Sequence, residues 1–126
     1  MPNHKPPHAN QQERKRAWRR GWWAEQVALL WLFCRGYRLI ARRCRTPVGE
    51  IDLILRRGHC WHFVEVKYRH RLDAALASMS PRQGQRVRRA ASWYLTHQRL
   101  SPSTPCCFSL LALAPWHRPR MVYNAW

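Results

Sequence analysis

Three carboxylates and a lysine occur within a short apolar stretch in the middle of this chain. Glu50 and Asp52 alternate with apolar residues, and a few residues later Glu65 and Lys67 flank a single valine. Burying an ionised carboxylate without a partner is costly. The pattern therefore indicates a cation held between strands, a set of ion pairs, or a catalytic site.

These acids stand out because the chain as a whole is strongly basic. Its 126 residues include 23 Lys and Arg but only 6 Asp and Glu, a formal net charge of +17. A positive field of this size attracts polyanions, and the release of counterions from phosphates favours binding. We therefore expect a nucleic acid as the partner, DNA in the first place. An anionic membrane or an acidic protein is the weaker alternative.

The composition divides the chain into an arm and one domain. Residues 1–15 are polar and rich in proline, so we expect a disordered basic N-terminal arm. Residues 16–126 are enough for a single domain with its own core. No apolar run approaches the roughly 20 residues of a membrane helix, and the N-terminus lacks the apolar core of a signal peptide. We expect a cytoplasmic protein without a membrane segment.

The elements that must position the acids follow from the hydrophobic periodicity. Apolar residues recur at helical steps over residues 16–35, and Gly36 is placed to end that helix. Residues 37–44 are typical of a first strand, a second strand begins at Gly49, and a third covers residues 61–67. A tight turn between the last two predicts a β-hairpin that carries the acids.

The second half of the chain predicts a further helix and a buried strand. A polar connection over residues 73–79 leads to Ser80 and Pro81, an N-cap and a first-turn proline. Residues 106–113 are typical of a strand covered on both faces, and residues 121–126 could add a short one. The order helix, three strands, helix, strand predicts an α/β fold with a mixed β-sheet flanked by helices.

Strand geometry predicts that the polar groups of the hairpin meet. Side chains alternate along a strand, so Glu65 and Lys67 share one face. If the connecting turn has four residues, Asp52 lies opposite Glu65 and Glu50 opposite Lys67, on the same face as Ile54. A register shifted by one residue would place Asp52 and Glu65 on opposite faces.

Such a pairing calls for a cation. Two carboxylates about 5 Å apart repel by roughly 3 kcal/mol at an effective dielectric constant of about 20. Mg²⁺ or Mn²⁺ suit carboxylate oxygens, which makes Asp52 and Glu65 candidate metal ligands. Lys67 would then orient or help deprotonate a bound water, or offset charge on a phosphate. The alternative is an ion pair between Glu50 and Lys67, with Asp52 and Glu65 each meeting an arginine.

Glu25 and a set of arginines are further candidates. Glu25 falls in the apolar stripe of the first helix, so it faces inward as a third acid of the site, or pairs with an arginine there. Three arginines on the polar side of the second helix could grip phosphates or simply be solvated: Arg82, Arg86 and Arg89. Three tryptophans could stack on bases or form an interface, although core packing is favoured: Trp61, Trp93 and Trp116.

The residues around the acids resemble the signature of a known family. Gly-Glu-Ile-Asp-Leu-Ile at 49–54 and Phe-Val-Glu-Val-Lys-Tyr-Arg at 63–69 closely resemble the YraN-like proteins. These small bacterial proteins are assigned to the PD-(D/E)XK, or restriction-endonuclease-like, superfamily and are also compared with Holliday-junction resolvases. The resemblance runs from about Gly21 to the final Asn-Ala-Trp at 124–126.

The resemblance implies both a fold and a reaction. It implies a restriction-endonuclease-like sheet and hydrolysis of phosphodiester bonds in DNA or RNA. Asp52 and Glu65 would hold Mg²⁺ or Mn²⁺, Lys67 would assist the attacking water, and Glu25 would complete the catalytic and metal site. We add Arg69, at the end of the motif, to the candidate nucleic-acid-binding residues.

Departures from the family pattern keep a second function open. Ala24 replaces a usual glycine, Gln83 an expected lysine and Ser109 a common aspartate. Because one fold can carry several functions, two hypotheses remain. The first is a metal-dependent nuclease, with branched or damaged DNA among its candidate substrates. The second is a non-catalytic nucleic-acid-binding or accessory protein. Junction-cutting enzymes commonly work as symmetric dimers, so a homodimer is one arrangement open to this chain.

Overall fold

The computed structural model describes residues 11–126, in which one mixed sheet is flanked by helices. In chain order the elements are α1 (Gln11–Cys34), β1 (Arg38–Thr46), β2 (Gly49–Arg57), β3 (Cys60–Tyr68), α2 (Leu72–Leu76), α3 (Pro81–His97), β4 (Cys106–Leu113) and β5 (Arg120–Tyr123). The predicted α/β class and element order are confirmed. The short helix α2 was not predicted, and it lies in the stretch expected to be an irregular polar connection.

The strands are ordered β1-β2-β3-β4-β5 across the sheet. β3 and β4 run parallel, and the other neighbours are antiparallel. A parallel pair needs a long crossover connection, and α2 and α3 supply it between β3 and β4. This arrangement places β3, which carries Glu65 and Lys67, in the middle of the sheet.

The sheet has an apolar cluster on each face. The α1-side cluster contains Ala28, Leu32, Tyr37, Leu53, Leu55, Val64, Leu111 and Leu113. The α3-side cluster contains Ile51, Ile54, Phe63, Val87, Ala90, Ala91 and Tyr94. Full burial of a Leu or Phe side chain stabilises the fold by about 1.5 to 3 kcal/mol. The central strands are thus held from both sides and form a rigid support for polar groups at their ends.

The long helix α1 agrees with the sequence at its end and differs at its beginning. It ends at Cys34, close to the predicted stop, and Gly36 adopts a φ of 88° that favours glycine. It begins at Gln11 rather than at residue 16. Residues 1–10 of the predicted disordered arm lie outside the described residues. Within the described part of the chain, no helix is long and apolar enough to cross a membrane.

The start of α3 follows the predicted cap. Ser80 Oγ accepts the backbone N–H of Gln83 at 3.2 Å, and Gln83 Oε1 accepts the backbone N–H of Ser80 at 3.0 Å. This reciprocal pair is a capping box with proline in the first turn. Gln83 therefore stabilises the helix terminus at a position where the resemblance led us to expect a lysine.

The other two departures from the family pattern are packing positions. Ser109 is fully buried in β4, next to Val64 of β3. An ionised aspartate at this position would be fully buried, which is costly, whereas the small serine hydroxyl lies 3.5 Å from Cys107 Sγ. Ala24 packs against the α1-side cluster. Among the three tryptophans, Trp61 and Trp93 pack against the α3-side cluster as expected, but Trp116 is fully exposed.

Candidate active site

The β2–β3 hairpin has the predicted register. Arg57 pairs with Cys60 around a turn in which Gly58 adopts a φ of 62°. A short turn with glycine at positive φ fixes the alignment of the two strands. The ladder continues as far as the Leu53–Val64 pair and stops there. Asp52 and Glu65 would come next in the same register, so the two acids lie where the strands separate.

The alternation of side chains is interrupted at Asp52. Ile51 packs in the α3-side cluster, whereas Leu53 packs in the α1-side cluster. A regular strand would place these two residues on the same face. The neighbouring strand β1 is interrupted in the same way, because Ala41 and Cys44 both pack on the α3 side although they are three residues apart.

Arg43 and Asp52 face each other at this interruption. The flanking pairs of the ladder are Arg42 with Leu53 and Cys44 with Ile51. Arg43 has a φ of 48°, in the left-handed region that a residue with a side chain rarely adopts. The prediction that Asp52 shares a face with Ile54 is therefore wrong, because both strands leave the regular pleat here. The interruption turns Asp52 towards β3.

Asp52 and Glu65 form an interacting pair of carboxyl groups. Asp52 Oδ2 accepts the backbone N–H of Val66 at 2.9 Å, and the two carboxyl groups are close enough for each to shift the pKa of the other. Because Asp52 accepts the N–H of Val66, it is the better place for the negative charge, and Glu65 has the greater tendency to retain a proton.

The surroundings account for this division of charge. Burial, opposed by the N–H of Val66, raises the pKa of Asp52 above its ordinary value. Burial and the charge of Asp52 together raise the pKa of Glu65 to about 7. These are the first two of the three causes of pKa shifts, desolvation and a nearby like charge. The pair therefore holds a proton up to neutral pH.

Lys67 is the cation nearest to the pair. Its Nζ lies 3.4 Å from Glu65 Oε1, and the two side chains are 12% and 15% exposed. Its charge lowers the pKa of both acids, although not enough to outweigh burial. Glu50 instead pairs with Arg45 at 3.8 Å on the surface. The alternative ion pair between Glu50 and Lys67 is therefore wrong.

A cleft of about 250 Å³ opens beside Asp52. Strands β2 and β3 contribute Asp52, Val66 and Tyr68 to its wall, and α1 contributes Glu25. Glu25 is only 15% exposed, and its Oε1 accepts a hydrogen bond from Arg42 Nη2 at 2.9 Å. α1 thus brings the predicted third acid to the cleft of Asp52, where an arginine already neutralises it.

Comparison with known proteins identifies the family. The family described as "Uncharacterised protein family UPF0102" matches residues 24–113. The chain belongs to the UPF0102 family. The resemblance to the YraN-like proteins is thereby confirmed.

Relatives from several bacteria match the UPF0102 chain over most of its length. A UPF0102 protein of Paramagnetospirillum magneticum is 41% identical over 114 residues, which is 87% of this chain and 88% of that protein. One from Rhodopseudomonas palustris strain BisB18 is 44% identical over 115 residues, 90% of this chain and 84% of that protein. A third, from Caulobacter vibrioides strain NA1000, is 41% identical over 103 residues, 82% of each chain.

The carboxyl pair of this UPF0102 protein has the donors for a hard divalent cation, but not a complete shell. Two carboxylates and water are suitable ligands for Mg²⁺ or Mn²⁺. Such an ion would balance the charges of both carboxylates, which repel each other when both are ionised. Within residues 11–126, no three His, Cys, Asp or Glu side chains are grouped to hold a metal. Glu25 lines the same cleft and would be the third ligand, in competition with its ion pair to Arg42.

The candidate phosphate-binding arginines of the UPF0102 protein differ in their placement. Arg82, Arg86 and Arg89 are all exposed on α3, as predicted. The stem of Arg86 covers Gly49 at the beginning of β2, where a Cβ would lie 2.9 Å from Arg86 Cγ. Arg69 is exposed, and its Nη1 donates to the carbonyl of Tyr68 at 2.8 Å. Arg86 is thus the α3 arginine in contact with the strand that carries Asp52.

Besides Glu25 and Asp52, the residues that line the cleft of the UPF0102 protein were not predicted from the sequence, and two of them bear on its chemistry. These two are Arg43 and Trp22. Arg43 could not be found by side-chain alternation, because its placement depends on the interrupted pleat. Trp22 belongs to the apolar stripe of α1, and its position in that stripe gave no reason to separate it from the core residues.

Proposed function

We propose that this protein is a metal-dependent nuclease that hydrolyses phosphodiester bonds in nucleic acid. The observation that carries the proposal is the largely buried Asp52–Glu65 pair, with Lys67 beside Glu65 and with Asp52 lining a cleft, in a protein of net charge +17. Burial disfavours the ionised forms of both carboxyl groups, as the raised pKa values of Asp52 and Glu65 indicate, so this arrangement is not explained by stability. Carboxyl groups whose pKa values are shifted by burial and by a neighbouring charge, in a cleft, are typical of a catalytic site.

Each residue has a role that its position supports. Asp52 and Glu65 would hold Mg²⁺ or Mn²⁺, and Glu65 would release its proton when the ion binds. The bound ion would polarise a phosphoryl oxygen and lower the pKa of its water. Lys67, next to Glu65, would orient the attacking water or offset charge on the phosphate. Arg43 at the cleft and Arg86 on α3 would attract the phosphate backbone.

Cleavage assays test this proposal. The purified protein is incubated with branched, duplex and single-stranded DNA and with RNA, in Mg²⁺, in Mn²⁺ and in a chelator. We expect cleavage of at least one substrate that needs the divalent ion and is lost in Asp52→Asn and Lys67→Met. A folded, metal-loaded protein that binds these substrates without cutting any would contradict the proposal.

One observation favours a second candidate function, a nucleic-acid-binding or accessory protein without catalysis. The pairing of Glu25 with Arg42 neutralises the third acid of the cleft without a metal ion. In this case the charge of the protein alone would determine binding, and affinity would fall steeply with salt. Asp52→Asn would then leave both binding and its salt dependence unchanged, and no variant would affect cleavage because there would be none.

A further inference from the structure

A second and larger concavity adjoins the acidic cleft. This aromatic groove has a volume of about 610 Å³ and lies between α1 and the segment that follows β4. Its walls include Trp23 and Val27 of α1, and Trp116 after β4. Tyr68 lines both the groove and the cleft, so the two cavities share this residue. A ligand that lies along this surface could occupy both.

The apolar wall of the groove is unusually exposed. Trp23 is 63% exposed, Val27 58% and Trp116 103%. Trp116 also has a φ of 63°, which holds its backbone in the left-handed region after the end of β4. The rings of Trp22 and Trp23 meet edge to face at 5.0 Å, with Trp22 on the cleft and Trp23 on the groove. Aromatic side chains thus continue from one cavity to the other.

The polar groups around the groove are basic. The described residues that line it include two arginines and two histidines but no acid: Arg19, Arg20, His70 and His117. A basic rim around exposed indole rings suits a polyanion that carries flat rings. Proteins that bind single-stranded nucleic acid combine the same two features, cations along the backbone and aromatic rings on which bases stack.

We propose that the aromatic groove binds unpaired bases of a nucleic-acid strand whose backbone continues into the acidic cleft. Inside a duplex the faces of the bases are covered by their neighbours, so an indole ring can stack only on a base that has left the stack. The proposal rests on the proposed function of the cleft and narrows its substrate to strands with unpaired nucleotides beside the scissile phosphate. The strong positive charge of the chain disfavours a second copy as the occupant.

Binding in a chelator tests the groove independently of cleavage. The probes are a labelled single-stranded oligonucleotide and a strand of equal length in which the bases are replaced by abasic sites. We expect Trp23→Ala and Trp116→Ala each to weaken binding of the base-containing strand about 5- to 100-fold. Binding of the abasic strand should be unchanged, because it depends on the cations alone. Trp23→Phe should retain most of the affinity.

The matched control is Phe33→Ala, which removes a 70% exposed aromatic ring from the same helix, away from the groove. It should bind both strands like the wild type. Equal binding of the base-containing strand by wild type, Trp23→Ala and Trp116→Ala would overturn the proposal, as would equal losses on the abasic strand. A dimer in sedimentation experiments that Trp116→Ala dissociates would assign the groove to a second copy instead.

The outcome is separable from that of the nuclease proposal. Asp52→Asn and Lys67→Met should distinguish base-containing from abasic strands as well as the wild type does. If no substrate is cut but this discrimination depends on Trp23, the groove stands and the nuclease proposal fails. If cleavage depends on Asp52 while the tryptophan variants bind normally, only the groove proposal fails.

Discussion

Asp52 Oδ2 accepts the backbone N–H of Val66 at 2.9 Å, beyond the last ladder pair of the β2–β3 hairpin. In a continuous ladder the acceptor for a strand N–H is a carbonyl oxygen of the neighbouring strand. Here the side chain takes that role, so the acid is fixed by a backbone donor and the strands are free to part. The position of the carboxyl pair therefore follows from a local interruption of the sheet.

Stability of the metal-free protein should decrease as the pH rises from about 5 to about 7. The pKa of Glu65 is raised from its ordinary value of 4.5 to about 7, so the folded state binds more protons than the unfolded chain in this range. The free energy of unfolding then falls with pH. A raised pKa of this size corresponds to a decrease of about 3 kcal/mol in the free energy of unfolding. Urea denaturation in a chelator at pH 5 and pH 8 measures this decrease.

Glu65→Gln should remove much of this decrease and stabilise the protein at pH 8. The control is Asp73→Asn, which changes an exposed acid on α2 while the side-chain oxygen can still accept the N–H of Ala74. The control should retain the pH dependence of the wild type. If the stability of Glu65→Gln decreased with pH as steeply as that of the wild type, the carboxyl pair would not be the source of the pH dependence. Mg²⁺ should restore stability to the wild type at pH 8 by binding the folded state.

Removal of the Lys67 charge should raise the pKa of Glu65 further. Lys67 Nζ lies 3.4 Å from Glu65 Oε1, and its charge lowers the pKa of that carboxyl group. In Lys67→Met the midpoint of the Glu65 titration should move upward from about 7. A carbon-detected NMR titration of the glutamate side chains measures it. Lys67→Arg keeps the charge and should titrate close to the wild type, and an unchanged midpoint in Lys67→Met would contradict the ion pair.

The sequence predicted the register of the hairpin correctly, because the position of the turn determines which residues of two strands face each other. The turn itself has two residues rather than the predicted four, since Arg57 and Cys60 already pair. The sequence therefore located Asp52 next to Glu65. It could not predict that the pleat is interrupted, because Arg43 in the left-handed region leaves no signal in the spacing of apolar residues. Alternation put Asp52 on the face of Ile54, and the structure turns it into a cleft on the α1 side.

The environment of Glu25 shows a second limit of prediction from the pattern within a single helix. Its place in an apolar stripe correctly predicted a side chain turned inward. Its partner, Arg42, comes from a different element, and this basic sequence offers many arginines that could have filled that role. Such a pairing depends on how α1 crosses β1, which periodicity within α1 does not specify.

Arg86 should contribute more to nucleic-acid binding than an equally exposed arginine outside the α3 surface. Its stem is held against Gly49, so its guanidinium has less freedom to lose when it binds a phosphate. Arg86→Gln should reduce the slope of log K against log salt concentration by about 0.9 if one phosphate contact is lost. Affinities for one duplex at several salt concentrations give this slope. Arg99→Gln, an exposed arginine after α3, should leave it unchanged, and equal slopes in both variants would argue against a contact at Arg86.

Arg42→Ala should strengthen binding of Mn²⁺ if Glu25 is the third ligand. The carboxylate of Glu25 is held by Arg42 at 2.9 Å, and this ion pair competes with an ion near Asp52 for the same carboxylate. A partly exposed ion pair of this kind contributes at most about 1 kcal/mol, which corresponds to an affinity increase of up to about fivefold. Calorimetric titration with Mn²⁺ measures the change in affinity.

Glu25→Gln should weaken binding of Mn²⁺, and Arg45→Ala, which removes a surface arginine from the same strand, should have no effect. If Arg42→Ala and Glu25→Gln both bind Mn²⁺ like the wild type, the pair only fastens α1 to β1, and the ion is bound by Asp52 and Glu65 with water.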